Sequence, residues 1–135
     1  MRKLSLIAVL SAFALPAVAD DAALLLGVER YQDLRRVPNA TDVLDSAQNL
    51  RRAGYDVTTL SNGSSANMAR LLNRFAESAT DADRLVVGLS GRFVTDGTRS
   101  WLLATDSQSP TYFGLSDAIS IDSVLAVLAQ TPGRA

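Results

Sequence analysis

The sequence predicts an α/β fold in which short parallel strands alternate with helices. Apolar runs of strand length occur at residues 22–28, 57–60 and 85–89. Two stretches with apolar residues at helical spacing, residues 39–52 and 64–79, lie between these runs. Because parallel strands need a crossover connection, usually a helix, this alternation is typical of right-handed β-α-β units.

The first run, Ala22 to Val28, predicts a strand buried on both faces, since no polar residue interrupts it. A polar loop is expected from Glu29 to Val37. Pro38-Asn39 predicts the start of a helix, with Asn39 as its cap and Asp42 in the first turn, where the helix dipole favours an acid.

The first helix should turn one apolar face to the sheet and end at Gly54, a common helix stop. A second strand is predicted over Val57 to Leu60, and Asn62-Gly63 predicts a turn. Ser64 or Ser65 can cap the second helix. The apolar residues of the two helices are Val43, Leu44, Ala47 and Leu50, and then Met68, Leu72, Phe75, Ala76 and Ala79.

The third strand, Leu85 to Leu89, runs into Ser90-Gly91. Beyond it we predict a turn at residues 95–97, a short strand over Trp101 to Ala104 and a loop over residues 105–117. An extended segment over Ala118 to Ile121 should lead to a last helix capped by Asp122, which ends at residues 131–133. Three core strands make a thin sheet, so one or both of its edges are expected to be open.

Residues 1–19 predict an export signal that is removed. A basic start at Arg2-Lys3 precedes an apolar segment and the small residues of 17–19, which are typical of a cleavage site. The remaining residues 20–135 carry eleven arginines and fourteen acids, a net charge of −3. They contain no further apolar stretch long enough to span a membrane, and their charge gives no nucleic-acid footprint. A periplasmic or secreted location is therefore expected.

The residue types that are missing restrict the chemistry. The 135 residues include no cysteine and no histidine, and Lys3 is the only lysine. Residues 20–135 therefore supply no Cys-His, Ser-His-Asp or Ser-Lys machinery and no thiolate or imidazole ligand for zinc. We expect no cofactor and no metal.

Several segments in order resemble the caspase-like domains, in particular the bacterial relatives of metacaspases. The segments are Ala23-Leu-Leu-Leu-Gly27 with Tyr31, Pro38-Asn39-Ala40 with Asp42, Ala53-Gly-Tyr-Asp-Val57, Ala82-Asp-Arg-Leu85 with Ser90-Gly91, Trp101-Leu-Leu-Ala-Thr-Asp106, and Ala118-Ile-Ser-Ile121. The resemblance implies a three-layer sandwich around a mostly parallel sheet. It covers the N-terminal half of such a domain, with the first three core strands and their helices.

In that family, a Ser-Gly-His-Gly motif supplies the histidine of a cysteine-histidine pair that cleaves peptide bonds. Ser90 and Gly91 match the motif, whereas Arg92 stands at the histidine position and Phe93 at the second glycine. Arginine does not release its proton at any working pH, so it cannot replace the histidine. The resemblance therefore implies the fold, and these residues predict a non-catalytic pseudo-peptidase, binding or scaffold module, or a truncated remnant.

Other functions remain open. Gly88-Leu-Ser90-Gly-Arg92 resembles a serine-hydrolase elbow, but no histidine can activate Ser90. Arg92 could hold an anion, or it could be a solvated side chain. The acids Asp81, Asp83, Asp96 and Asp106 could bind calcium, although ordinary turn and cap roles are favoured. The sequons at Asn39 and Asn62 are better explained as cap and turn residues.

The remaining candidates concern partners. The basic residues Arg35, Arg36, Arg51 and Arg52 are expected to be solvated rather than a partner site. The aromatic residues Phe93, Trp101 and Tyr112 fit either a core or an exposed apolar surface. A protein or peptide could pair with an open sheet edge. Two alternatives to the pseudo-peptidase are an active cysteine endopeptidase whose cysteine-bearing half comes from another segment or chain, and a small receiver-like α/β domain.

Overall fold

The computed structural model describes residues 21–108 and 118–130. Its main sheet contains three parallel strands, β1 (Asp21–Gly27), β2 (Tyr55–Ser61) and β3 (Leu85–Ser90), in the order β2-β1-β3. The central strand β1 is buried from Ala22 to Gly27. The predicted α/β class and the parallel arrangement of the three core strands are thus confirmed.

Helices cover both faces of this sheet and produce two apolar layers. A 3₁₀ helix (Ala40–Ser46) continues into α1 (Ala47–Arg52), and with β1 and β2 they enclose a small core that includes Ala23, Leu25 and Val57. The larger core lies on the other face of β1, around Leu24 and Leu26, with α2 (Ser65–Ala79) and α3 (Ile121–Leu128). The alternate side chains of one strand therefore supply both layers.

A second sheet lies beyond the carboxyl end of β3. It consists of β4 (Phe93–Thr95), β5 (Ser100–Leu103) and β6 (Ala118–Ser120), all antiparallel in the order β4-β5-β6. The predicted strand near Trp101 and the extended segment at residue 118 belong to it. Strand β4 is not predicted from the sequence, because three residues beside a turn carry no readable alternation.

The predicted caps have mixed outcomes. Ser64 caps α2, since its hydroxyl accepts a hydrogen bond from the Asn67 N–H at 3.2 Å. Asn39 occupies the predicted cap position without capping through its side chain, and the prediction for Asp122 is wrong. Asn39 has a left-handed backbone with φ of 65° and makes no side-chain cap bond. Asp122 lies within the first turn of α3, and Ser120 occupies the cap position.

The first helix also differs from the prediction in type, because its first seven residues are 3₁₀ rather than α-helical. The Glu29 carboxylate accepts a hydrogen bond from the Asn39 N–H at 2.7 Å, which fixes the chain just before this helix. Gly54 ends α1 with φ of 96°, as predicted.

The export signal predicted over residues 1–19, Tyr112 and the predicted helix end at residues 131–133 lie outside the described residues. Across residues 21–108 and 118–130, the structure contains no helix with the length and apolarity needed to cross a bilayer.

Candidate functional site

The carboxyl ends of the three parallel strands converge at one end of the main sheet, where four connecting segments are joined by backbone hydrogen bonds. The Val28 N–H donates to the Ser90 carbonyl at 2.9 Å, and the Asn62 N–H donates to the Gly27 carbonyl at 2.8 Å. The Thr105 N–H donates to the Gly63 carbonyl at 3.0 Å. These bonds link loops that are far apart in sequence, and they build the site around the end of β3.

Tyr31 is the central side chain of this site. Its hydroxyl accepts a hydrogen bond from the Arg92 N–H at 2.8 Å and donates to the Leu103 carbonyl at 3.2 Å. Burial raises the pKa of the Tyr31 phenol, and the Arg92 backbone bond and charge offset part of that rise. The neutral phenol therefore holds together the loop after β1, the end of β3 and the end of β5.

Gly91 permits the close approach of Tyr31. A Cβ atom at Gly91 would lie 2.8 Å from the Tyr31 hydroxyl, 3.0 Å from a methyl carbon of Leu102 and 3.1 Å from the Val28 carbonyl oxygen. The Gly91 φ of 155° is also unfavourable for other residues. The Ser90-Gly91 turn is thus required by local packing, independently of any chemistry.

Arg92 is held against the same tyrosine. Its guanidinium carbon lies 5.9 Å from the centre of the Tyr31 ring, and Nη2 donates to the Arg35 carbonyl at 2.8 Å. The Arg92 Nε atom is buried and forms no hydrogen bond with any described residue. The side chain is therefore fixed by one neutral acceptor and one ring, and no carboxylate of the described residues forms an ion pair with it.

Glu29 and Asn62 fix the loop after β1. The Glu29 carboxylate, mostly buried, accepts bonds from Asn39 N–H and from Arg36 Nη2 at 2.9 Å. The Asn62 side-chain oxygen accepts bonds from the N–H groups of Glu29 and Arg30 at 2.8 and 2.9 Å. Asn62 is therefore a loop anchor as well as the turn residue that the sequence predicts.

The four candidate calcium ligands are not assembled into a metal site. Asp106 accepts bonds from the N–H and hydroxyl of Ser65 at 2.9 and 3.3 Å, at the start of α2. Asp96 accepts bonds from the N–H groups of Thr98 and Arg99 in its own turn, and these bonds lower its pKa. Among the described residues, no three acids are grouped so that they could hold a metal ion.

The other predicted residues are distributed over several elements. Ser90 is half-buried, and Phe93 is 47% exposed. Arg35 and Arg36 lie in the loop after β1, whereas Arg51 and Arg52 lie in the last turn of α1. Trp101 is half-buried in β5. Ser90, Gly91 and Arg92 are therefore the predicted residues that meet at the site.

The sequence indicates only a polar loop at Tyr31 and Glu29, and it does not predict their structural roles. The Tyr31 contact with Arg92 spans 61 positions along the chain. No local pattern reports a contact of that range, although a buried aromatic with a polar tip usually has a hydrogen-bond partner.

The observed arrangement defines an α/β protein with helices on both faces of a parallel sheet, whose connecting loops meet where such folds place ligands and catalytic groups. A model of the Caspase domain matches residues 20–133. The chain therefore belongs to the caspase domain family.

Solved caspases share the fold. The Drosophila initiator caspase Dronc is 13% identical and has a TM-score of 0.61, and the comparison covers 84% of this chain and 45% of that chain. Pro-sf-caspase-1 is 19% identical with a TM-score of 0.54, over 85% of this chain and 47% of that chain. The chain thus spans about half the length of these two caspases. No curated protein matches it.

Proposed function

We propose that this chain is a non-catalytic caspase-like module that binds a β-strand of a partner along the outer edge of β3. The observation that carries the proposal is the contrast between the carboxyl end of β3 and its outer edge. Its carboxyl end holds Arg92 in the position where the family motif has histidine, and its outer edge is apolar and unpaired within the described residues.

The contacts of Arg92 support the absence of catalysis. A guanidinium retains its proton, so it does not act as a general base. Its Nη2 is bound to the Arg35 carbonyl, and its face lies against the Tyr31 ring. With no histidine or cysteine in the sequence, Ser90 also has no imidazole to activate it.

The geometry of β3 supports strand binding. The Ala22 N–H donates to the Arg84 carbonyl at 3.0 Å, and the Val28 N–H donates to the Ser90 carbonyl at 2.9 Å. Since successive residues of a strand direct their backbone groups to opposite sides, Leu85, Val87 and Leu89 direct theirs away from β1. An added strand can pair with these groups, which is a recurrent mode of peptide recognition.

Composition distinguishes this edge from the other one. In β3, Val86 packs against the smaller core, while Val87 and Leu89 pack against the larger one. Strand β2, at the other edge, exposes Asp56, Thr59 and Ser61. Polar edges are typical of strands that stay unpaired, and strands apolar on both faces are typical of sheet interiors.

The catalytic part is tested with peptide substrates that carry Arg, Lys or Asp before the cleavable bond. We expect no turnover from the purified chain and none from its Ser90→Ala variant. Turnover that a thiol-blocking reagent does not affect, and that is lost in Ser90→Ala but kept in a Ser61→Ala control, would overturn the proposal.

The binding part is tested by NMR with an extended peptide of alternating Thr and Val. We expect shifts at the amides of Leu85, Val87 and Leu89, and no comparable shifts in β2. Shifts confined to β2, or none at saturating peptide, would contradict binding at β3.

A second candidate is an active cysteine endopeptidase whose cysteine-bearing segment comes from elsewhere. The coverage of 45% and 47% of the two caspases favours it. The coding sequence downstream of Ala135 tests it, because an in-frame strand ending in cysteine would supply half of the catalytic pair.

Export remains part of the leading proposal, and an N-terminus at Asp20 in the periplasmic or secreted protein would support it.

A further inference from the structure

We propose that the junction between the loop after β1 and the turn after β3 binds a carboxylate, which the Arg92 guanidinium holds. The junction consists of Tyr31 and Arg35 from the loop and of Gly91 and Arg92 from the turn. It lies at the carboxyl ends of two strands that pair with each other. The proposal therefore goes beyond the strand binding described above and does not depend on it.

The topology of the main sheet favours a ligand at this junction. In the order β2-β1-β3, the connection that follows β1 leads to the 3₁₀ helix, whose Val43 packs against the smaller core. The connection that follows β3 leads to β5, whose Leu102 belongs to the larger core on the other face. Two neighbouring strands whose connections diverge in this way form a topological switch point, where open α/β sheets bind their ligands.

Arg92 has hydrogen-bond donors to spare at the junction. A guanidinium carries five N–H donors. The Nη2 bond to the Arg35 carbonyl, at 2.8 Å in an exposed position, is the only side-chain hydrogen bond that Arg92 makes to a described residue. The Tyr31 ring, 5.9 Å away, supplies no oxygen acceptor to the guanidinium. The tip of the side chain is thus fixed in place, reachable from solvent and able to donate further bonds.

The Arg92 Nε atom is the second observation. It is buried and has no acceptor among the described residues, which is unfavourable for folding. Buried donors without a partner are rare, and an ion, a water molecule or a functional role usually explains them. A methionine would cover the Tyr31 ring with a stem of similar shape and would leave no donor unsatisfied. Packing alone therefore does not explain an arginine at this position.

The local charge favours an anion. The loop from Val28 to Val37 carries three arginines and two acids, and Arg92 adds another positive charge, although residues 20–135 have a net charge of −3. The nearly buried Glu29 is already bound to Arg36 and to the Asn39 N–H. A planar guanidinium donates two parallel bonds to the two oxygens of a carboxylate, and one positive charge matches one negative charge.

NMR of the purified chain tests the site, since the Arg92 Nε–H group gives its own signal. The probe is acetate, exchanged for chloride at constant ionic strength. We expect saturable shifts of the Arg92 Nε–H and of the Gly91 amide, with a Kd on the order of tens of millimolar because the ligand is so small. Chloride cannot use the planar pair of donors, so the exchange itself should produce the shifts.

Two variants separate the donors from the charge. Arg92→Met keeps an unbranched stem beside Tyr31 and should abolish the acetate shift at Gly91, while the urea midpoint stays unchanged or rises. Arg92→Lys keeps the charge without the paired donors and should weaken binding by roughly threefold to tenfold. Arg52→Met, in the last turn of α1, is the matched control and should bind acetate like the wild type.

Three peptides then identify the source of the carboxylate. They are an N-acetylated alanine peptide with a free carboxyl end, its amidated form, and an amidated form with one internal Asp. Binding of the first alone would support a site for peptide carboxyl ends, and binding of the third alone would support a site for acidic side chains. Binding of both, with none of the amidated alanine peptide, would support a site for either carboxylate.

Three results would overturn the proposal. They are the absence of a saturable shift at the Arg92 Nε–H, an equal response to chloride, and a Gly91 shift that persists in Arg92→Met. The proposed strand binding is measured separately at the amides of Leu85, Val87 and Leu89. Its failure would leave the carboxylate site standing, and failure of the carboxylate site would leave the strand binding standing.

Discussion

The hydroxyl of Tyr31 provides the sharpest test of how the site is assembled. Tyr31→Phe keeps the ring and its contact with the Arg92 guanidinium, and it removes one oxygen atom. That oxygen accepts from the Arg92 N–H at 2.8 Å and donates to the Leu103 carbonyl at 3.2 Å. The change therefore isolates the two hydrogen bonds that connect the loop after β1 to β3 and β5.

The expected loss follows from the groups left behind. A buried donor or acceptor left without a partner costs about 1–3 kcal/mol. Tyr31 is half-buried, so water can satisfy part of the loss, and we expect a decrease of about 1–2 kcal/mol in the free energy of unfolding. For a domain of this size that corresponds to a decrease in Tm of roughly 5–10 °C.

Urea unfolding followed by circular dichroism and by the fluorescence of the single Trp101 measures this loss. Tyr55→Phe in β2 is the matched control, because the Tyr55 ring lies 5.6 Å from the Arg84 guanidinium carbon and no described residue bonds its hydroxyl. We expect Tyr55→Phe to be nearly neutral. If Tyr31→Phe is as stable as Tyr55→Phe, the assignment of Tyr31 as the connecting residue is wrong.

Two other predictions concern the same loops. Because the pKa of Tyr31 is raised in the folded chain, the stabilisation linked to its neutral phenol is present below the unfolded pKa of about 10 and is lost as pH rises through the folded pKa. Stability should therefore fall more steeply in alkali for wild type than for Tyr31→Phe, and parallel pH curves would contradict this. Asn62→Ala should cost about 2 kcal/mol, because two N–H groups lose their acceptor and alanine tolerates the φ of 53° poorly. Asn62→Asp keeps the acceptor and should unfold at nearly the wild-type urea concentration. Equal losses in the two Asn62 variants would exclude the side-chain oxygen as the anchor.

The sequence predicts those parts of the fold that depend on local pattern. The unbroken apolar run of β1 indicates a central strand, and it is buried on both faces. The spacing of Met68, Leu72 and Phe75 indicates one face of α2, and all three are buried. These predictions succeed because each pattern is read within one element.

The wrong or missing predictions concern contacts between distant segments. Asn39 satisfies the rule for a helix cap, but its backbone is left-handed and its side chain makes no cap bond, while its N–H donates to the buried Glu29 carboxylate. The role of Tyr31 depends on Gly91 and Arg92, which are sixty or more positions away. The site could thus be located from the end of β3, whereas the residues that hold it together could not.

The two edges of the main sheet lead to one further step. Val86, Val87 and Leu89 pack against the two cores but are only half-buried, so part of their apolar surface stays uncovered at this edge. An apolar, unprotected edge is also a template for aggregation. Strand β2 has the polar pattern expected of an edge exposed to solvent, although it belongs to the same sheet. The difference between β2 and β3 is the reason for proposing that another strand covers β3, because an isolated three-stranded sheet would leave its apolar edge in water.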